Sequence, residues 1–417
     1  MKKIVYLLAV CLLVFIACQN ESNDYQTDIS LRNKPNPGNS ELARLWASGF
    51  VNDINVSTRS HHNTVVSSVF PLCSKDIYSS RRLTRNLDYE VLPDTILYVV
   101  NLGNNDGFML VSTDTLLPGV MAYIEHGSLR EGEGITSHEL LHFLDGYKYY
   151  YIKEAKTRDG LVPGPSGDEP AYPGVWRTDE HIPALLSTEW GQGYPYNQFC
   201  YTNTGYLAQA GCIAIAAAQI CAYHQSPSSY NNHIYDWDAI LQSSMVSSSD
   251  SAASESVGHL VHDIGVLAGL EYGESSSSGA SYNLFICWNL FGYHYQANNY
   301  CNFDSVCTDL RMSLPVYISG SRDDNYAHAW VIDGMAIRSY YLPMMSMDDS
   351  GQTIIEEFKY RSYNLYHCNW GADGALNGYF VAGALENYYI LETDDIYNIP
   401  FLGYNNAPFS FTKIYPL

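Results

Sequence analysis

Gln192, Cys212, His328 and Asn369 are the residues whose types and order could carry out nucleophilic acyl transfer. Cys212 opens the run Gly211-Cys212-Ile213-Ala214-Ile215-Ala216-Ala217-Ala218-Gln219-Ile220, which has no polar residue between Cys212 and Gln219. Three consecutive alanines favour a helix. A helix apolar on every side must be buried. A cysteine in its first turn meets free backbone N–H groups and the positive end of the helix dipole. That environment favours thiolate and can pull a thiol pKa into roughly the 3.5–7.5 range. The alternative is that Cys212 is one more small buried residue, as cysteine often is.

A thiolate nucleophile needs an oriented base to take and return a proton. Tyr326-Ala327-His328-Ala329-Trp330-Val331-Ile332-Asp333-Gly334 places a histidine at the start of an apolar strand, with small neighbours leaving room around the ring. Further on, Tyr366-His367-Cys368-Asn369-Trp370-Gly371 reads as a strand running into a glycine turn. The Asn369 amide oxygen is expected to accept the imidazole N–H, with Trp370 shielding that bond from water. Upstream, Gln192 stands between Gly191 and Gly193. Its amide and the Cys212 N–H are candidate donors to a tetrahedral oxyanion. Taken singly, His328 also reads as a core histidine, Asn369 as a turn residue and Gln192 as an exposed side chain. Their order Gln, Cys, His, Asn is what joins them.

These stretches, with Gly191-Gln192-Gly193-Tyr194-Pro195-Tyr196-Asn197, Tyr223-His224, Pro315-Val316-Tyr317, Tyr272-Gly273 and Ser278-Gly279-Ala280, resemble the streptopain family of papain-fold cysteine proteases. The resemblance spans most of residues 185 to 382. It implies an α+β fold, in which a buried helix carrying the nucleophile packs on an antiparallel β-sheet, preceded by a small α+β inhibitory prodomain. It implies Cys212 as nucleophile, His328 as base, Asn369 as its orienter, Gln192 as oxyanion donor and Trp370 as shielding ring. Ser278, Gly279 and Ala327 would touch substrate around an apolar pocket for the residue two before the cleaved bond. The implied partners are protein or peptide substrates and the chain's own propeptide as intramolecular inhibitor; no cofactor or metal is implied. Two departures, Ala372 for a second tryptophan and Ala327 for glycine, bear on pocket shape more than on chemistry.

The elements that must position these residues follow from patterning. Met1-Lys2-Lys3 precedes an apolar run from Ile4 to Ala17, too short to span a membrane and right for export. Residues 1–17 thus read as a lipoprotein-type signal, Cys18 as the lipidated residue and 18–38 as a polar tether. The alternative is a plain signal peptide containing a cysteine. Residues 39–157 are expected to form the prodomain. Within it, Leu42, Leu45, Trp46 and Phe50 have helical spacing across Ser40 to Asn55. Thr95 to Val100 and Phe108 to Ser112 flank Asn104-Asn105-Asp106-Gly107 as a hairpin, followed by a strand from Val120 to Ile124. A helix is expected from Ser137 to Lys156, capped by Thr136 or Ser137. Residues 158–178, rich in proline and glycine, read as a linker holding the activation cleavage. Arg158, Arg177 and the Pro/Gly stretch are all candidates for the cut. Residues 179–417 are the expected protease domain.

The 417 residues include 44 acidic and 22 basic ones, a formal charge of −22. That balance argues against nucleic acid or an anionic membrane surface as partner, leaving a lipid anchor at Cys18 as the membrane contact. Of the ten cysteines, none forms a CxxC pair, so neither a zinc ribbon nor a disulfide scaffold is indicated. A Cys301–Cys307 bridge is left open. Two rival functions remain. His138-Glu139-Leu140-Leu141-His142 matches the zinc-protease pattern H-E-x-x-H, though Lys148 and Asp145 stand where its longer form needs His and Gly. Packing by Leu140, Leu141, Leu144, Tyr147 and Tyr151 also explains that segment. The other rival is a non-catalytic papain-fold surface protein.

Overall fold

The structure is a computed structural model. It describes residues 39–58, 65–73, 95–151, 174–298, 301–321, 327–347, 350–385 and 406–417, less positions 113, 115, 116, 138, 142, 145, 148, 149 and 351. Cys18, most of the linker and the two histidines of the H-E-x-x-H segment lie outside the described residues.

The N-terminal unit begins with α1 (Asn39–Thr58), where Ala43, Trp46, Ala47, Phe50, Val51 and Ile54 form one buried stripe. Four antiparallel strands follow: β1 (Val66–Cys73), β2 (Thr95–Leu102), β3 (Phe108–Val111) and β4 (Val120–Ile124). The expected hairpin joins β2 to β3, and its turn passes through Gly107 at φ +98°, a conformation glycine adopts without steric cost. β1 was not legible from alternation, because its apolar residues are interrupted by serines and a proline. The described residues of the next helix lie between 139 and 151 and bury Leu140, Phe143, Leu144, Tyr147 and Tyr150. Its N-terminus is capped by the Ser137 hydroxyl, which accepts the Leu140 N–H at 3.3 Å.

β5 (Val175–Ile182) pairs with the middle of a later strand, so the irregular linker expected through residue 178 is corrected at its end. The side chains from Val175 to Ile182 are all partly or fully exposed and show little apolar alternation, so nothing local in the sequence marks this strand. α2 (Cys212–His224) is buried on all sides from Ile213 to Ala222 and packs on α3 (Ser251–Leu267). Behind it lie β6 (Tyr293–Asn298), β7 (Val316–Ser321), β8 (Ala327–Met347), β9 (Thr353–Asn369), β10 (Gly378–Val381) and β11 (Asn406–Pro416). All strands named here join one sheet in the order β1-β2-β3-β4-β10-β9-β8-β7-β11-β6, with β5 alongside β8.

The prodomain sheet therefore continues without a break into the protease sheet, through Gly378↔Ile124, Tyr379↔Tyr123 and Phe380↔Ala122. Strands covered on both faces read as continuous apolar runs, as Ala329 to Ile332 does. Ala329 and Val331 face the core built around α2, whereas Trp330 and Ile332 face Leu140, Phe143, Leu144 and Tyr147 of the prodomain. The sheet face bearing Ala329 and Val331 thus carries the nucleophile helix, and the 139–151 segment of the prodomain packs on the opposite face.

Candidate active site

Gly211 precedes α2 at φ +90° and lies close to Leu270 and Ser277. A Cβ built there would stand 2.9 Å from Leu270 Cδ1, so a side chain would meet both strain and a clash. The glycine lets the chain turn sharply, so that the Cys212 thiol emerges at the helix N-terminus. Cys212 is partly buried and its thiol is hydrogen-bonded to the His328 ring. Burial opposes ionisation of the thiol, but the His328 hydrogen bond and charge, with main-chain hydrogen bonds from Ala329 and Ile213, bring it below the ordinary thiol range. Burial likewise opposes charge on His328, yet Cys212 foremost, then Glu139 and the Trp370 carbonyl, raise it above the ordinary imidazole range. The two shifts have opposite signs and widen the pH span in which thiolate and imidazolium coexist.

That sign has a measurable consequence. Alkylation of Cys212 by a neutral haloacetamide should keep a fast plateau below the ordinary thiol titration. The plateau ends on the acid side where the thiolate takes a proton, and changes again on the alkaline side where the imidazolium loses one. The two inflections belong to the pair rather than to either residue. In His328→Ala the plateau should vanish, leaving one sigmoid shifted upward in pH.

The remaining expected residues fall as follows. His328 Nε2 meets the Trp370 carbonyl oxygen at 2.9 Å, so Asn369 does not bond the imidazole directly, against the expected arrangement. Instead Asn369 Oδ1 accepts from Gln219 Nε2 at 3.0 Å and from the Gly371 N–H at 3.2 Å, while its Nδ2 donates to the Thr188 carbonyl at 2.7 Å. The physical reason is the turn at Gly371, φ +68°, which swings the Trp370 carbonyl toward the ring ahead of the side-chain amide. The Trp370 ring is buried, 6.1 Å from the His328 ring and 5.2 Å from Trp330, so water is kept off the His328 hydrogen bond. Gln192 is partly buried, and its carbonyl accepts the Ala210 N–H at 3.0 Å, which ties it to the segment leading into Cys212. Ser278 and Gly279 lie in a loop whose Ser277 touches the Gly211 position, and Ala327 is exposed at the start of β8. Ala327 directly precedes His328.

Sequence reasoning missed two groups. Gln219, fully buried, accepts from Thr188 Oγ1 at 3.0 Å and the Trp190 N–H at 3.2 Å besides donating to Asn369. Its signal was present: it is the first polar residue after Cys212 in an otherwise apolar run. The second group joins the two halves of the chain. His367 Nδ1 bonds Asp333 Oδ1 at 2.6 Å, and its Nε2 lies 3.5 Å from Glu125 of the prodomain. Burial opposes charge on His367, but Asp333 and then Glu125 hold its pKa up to about 10. Neighbouring His181, on β5, is pulled down to about 4 by burial and by the His367 charge, and meets Tyr379 Oη at 2.7 Å. Arg338, also buried, pairs with Asp53 of α1, which in addition accepts the Thr178 N–H at 3.1 Å. Nothing local in sequence pairs Asp53 with Arg338.

A cysteine at the mouth of a buried helix, a strand histidine on its thiol and a prodomain laid across the same sheet define a papain-type thiol protease held with its inhibitor. Residues 190–380 match the Peptidase C10 family, and residues 35–152 match the Spi protease inhibitor. The chain is thus a cysteine-type endopeptidase similar to the streptopains, made as a zymogen with an inhibitor-type prodomain. Streptopain of Streptococcus pyogenes is 26% identical over 338 residues, covering 69% of this chain and 74% of its own. The thiol protease/hemagglutinin PrtT of Porphyromonas gingivalis is 24% identical, covering 70% of this chain and 34% of its own. Prointerpain A of Prevotella intermedia shares the fold, with a TM-score of 0.53 at 20% identity over 78% of this chain and 98% of that one.

Proposed function

We propose that Cys212 is the nucleophile and His328 the acid and base of peptide-bond hydrolysis. The hydrogen bond between the two, at the N-terminus of a buried helix, is the observation that carries this reading. The thiolate attacks the substrate carbonyl carbon, and the π electrons move to oxygen. That oxyanion accepts hydrogen bonds from the Cys212 N–H and the Gln192 side-chain amide. Collapse breaks the C–N bond, and the departing amine takes the proton from His328. Water then attacks the thioester, giving its proton to His328. Loss of the C–S bond releases the acid and restores the thiolate–imidazolium pair. Trp370 supplies its carbonyl to hold His328 Nε2–H and its ring to exclude water. Ser278, Gly279 and Ala327 bound the substrate cleft, and resemblance to streptopain supports an apolar pocket on the acyl side.

The test is covalent. A thiol-directed epoxide should label Cys212 in the matured protein and stop peptide hydrolysis, while a chelator leaves the rate unchanged. Loss of activity to the chelator alone would return the H-E-x-x-H segment to consideration, and absence of selective labelling would favour a binding protein.

The chain is read as exported, with Cys18 lipidated and the prodomain blocking the cleft until it is cut. The activation cut is placed ahead of Val175. Arg177 is a poor site, because its main chain is laddered to Ser339 and its guanidinium forks onto Glu357. A protease needs an extended, free stretch of substrate. N-terminal sequencing of the matured enzyme should therefore begin at or before Val175 and retain β5; a start at Thr178 would refute the placement.

A further inference from the structure

The two hydrogen bonds of the Trp370–Gly371 peptide unit lead back to the helix that carries the nucleophile. On one side of that unit the Trp370 carbonyl holds His328 Nε2 at 2.9 Å. On the other its N–H, belonging to Gly371, donates to Asn369 Oδ1 at 3.2 Å. An amide is planar, so fixing its N–H fixes the direction of its carbonyl. Asn369 in turn is fixed by Gln219 Nε2 at 3.0 Å and by the Thr188 carbonyl at 2.7 Å. Gln219 lies two turns after Cys212 on the same helix, fully buried, with its carbonyl oxygen used by Thr188 Oγ1 and the Trp190 N–H. Its amide orientation is therefore determined: the oxygen must face two donors, which leaves the NH₂ to face the Asn369 oxygen.

We propose that Gln219 is a positioning residue for the base, acting through Asn369 and the Trp370–Gly371 peptide to aim the carbonyl that holds His328. This rests on the assignment of Cys212 and His328 as the reacting pair. One rigid helix then sets both partners, the thiol directly and the imidazole by a strut of three hydrogen bonds. The arrangement also gives Gln219 a second load, since Trp190 and Thr188 lead directly into the Gln192 segment. A buried network of this kind is strong when every member is satisfied and costly when one is not. Gly371 is part of the device: at φ +68° it reverses the peptide, and a Cβ there would lie 3.0 Å from Ile215 Cγ2 of α2.

The discriminating variant is Gln219→Glu. As a carboxylate it can still accept from Thr188 and Trp190 but has no hydrogen to give Asn369, and so loses the strut. Gln219→Met, uncharged and of similar length, serves if the buried carboxylate prevents folding. In the matured enzyme, kcat is expected to fall on the order of 10–100-fold with KM within about threefold, as for a small misplacement of a catalytic group. The alkaline inflection of Cys212 alkylation by iodoacetamide should move down in pH, because His328 loses the carbonyl that favours its charged form. A merely structural role predicts a lower melting temperature with an unchanged alkylation profile and unchanged kcat in the folded fraction; that result overturns the proposal. Failure of the underlying assignment looks different. The unaltered enzyme would then show no alkylation plateau at Cys212 at all.

Discussion

Cys212→Ala is expected to lower peptide hydrolysis by roughly 10⁴- to 10⁶-fold, the range seen when a hydrolase loses its nucleophile. The residual rate would come from the oxyanion donors and substrate binding, which outlast the loss of the reacting atom. The measurement is turnover of a short peptide carrying an apolar residue two before the cleaved bond. Cys212→Ser is expected to be nearly as poor. A hydroxyl is not ionised by a neighbouring imidazole as a thiol is, and the ion pair that His328 sustains would be lost. Both variants should fold, because the thiol is partly buried in a helix whose stability comes from Ile213 to Ala222. Both should remain uncut if maturation depends on the chain's own activity. Survival of hydrolysis in either variant would sink the assignment of the nucleophile.

The second large effect lies where the prodomain meets the protease. Asp53 and Glu125 of the prodomain face Arg338 and His367, two protease cations with side-chain exposures of about 4% each. Removing Asp53 takes from the buried Arg338 its ion-pair partner, at a cost of about 3–5 kcal/mol, whereas His367 keeps Asp333 when Glu125 is removed, so that loss is smaller. His126 and Glu189, 3.6 Å apart across the same junction, are exposed at 65% and 29%, and such a pair contributes about 1 kcal/mol at most. Asp53→Ala with Glu125→Ala should therefore loosen the prodomain strongly, whereas His126→Ala should change little. In the uncut chain, epoxide labelling of Cys212 should accelerate by on the order of 10²-fold or more in the double variant. Equal labelling rates in the two variants would show that apolar burial of α1 and the 139–151 segment, rather than charge pairing, holds the prodomain. The pH dependence follows in sign. His367 has its pKa raised from the ordinary imidazole value of 6.5 to about 10, so its contribution is complete below the lower value, declines above it and is gone once pH has risen through the higher one.

Much of the catalytic centre was legible because it depends on local chemistry. A cysteine at the head of an all-apolar run announces a buried helix N-terminus, where a thiol can be activated or simply packed, and the later His328 and Asn369 stretches favour the first. The apolar strand around His328 and the hairpin at Asn104 to Gly107 were legible for the same reason: side-chain period and turn chemistry act over a few residues. The family resemblance then joined His328 to Cys212 across a long separation, as composition could not. β5 was hidden, since a strand that takes its partner from Val175 to Ile182 through Tyr341 to Met335 has little local apolar alternation of its own.

The sequence by itself determined which groups could react and that a precursor with an N-terminal prodomain would carry them. Tertiary structure decided how those groups are held. Whether Asn369 bonds the imidazole or the peptide next to it turns on one backbone reversal at Gly371, a dihedral that residue identity permits without dictating. The pairing of Asp53 with Arg338, and of Glu125 with His367, arises only when β4 docks on β10 and α1 covers β8. A charge finds its partner through the global fold, because the energy of a buried pair depends on distance and exclusion of water rather than on separation along the chain.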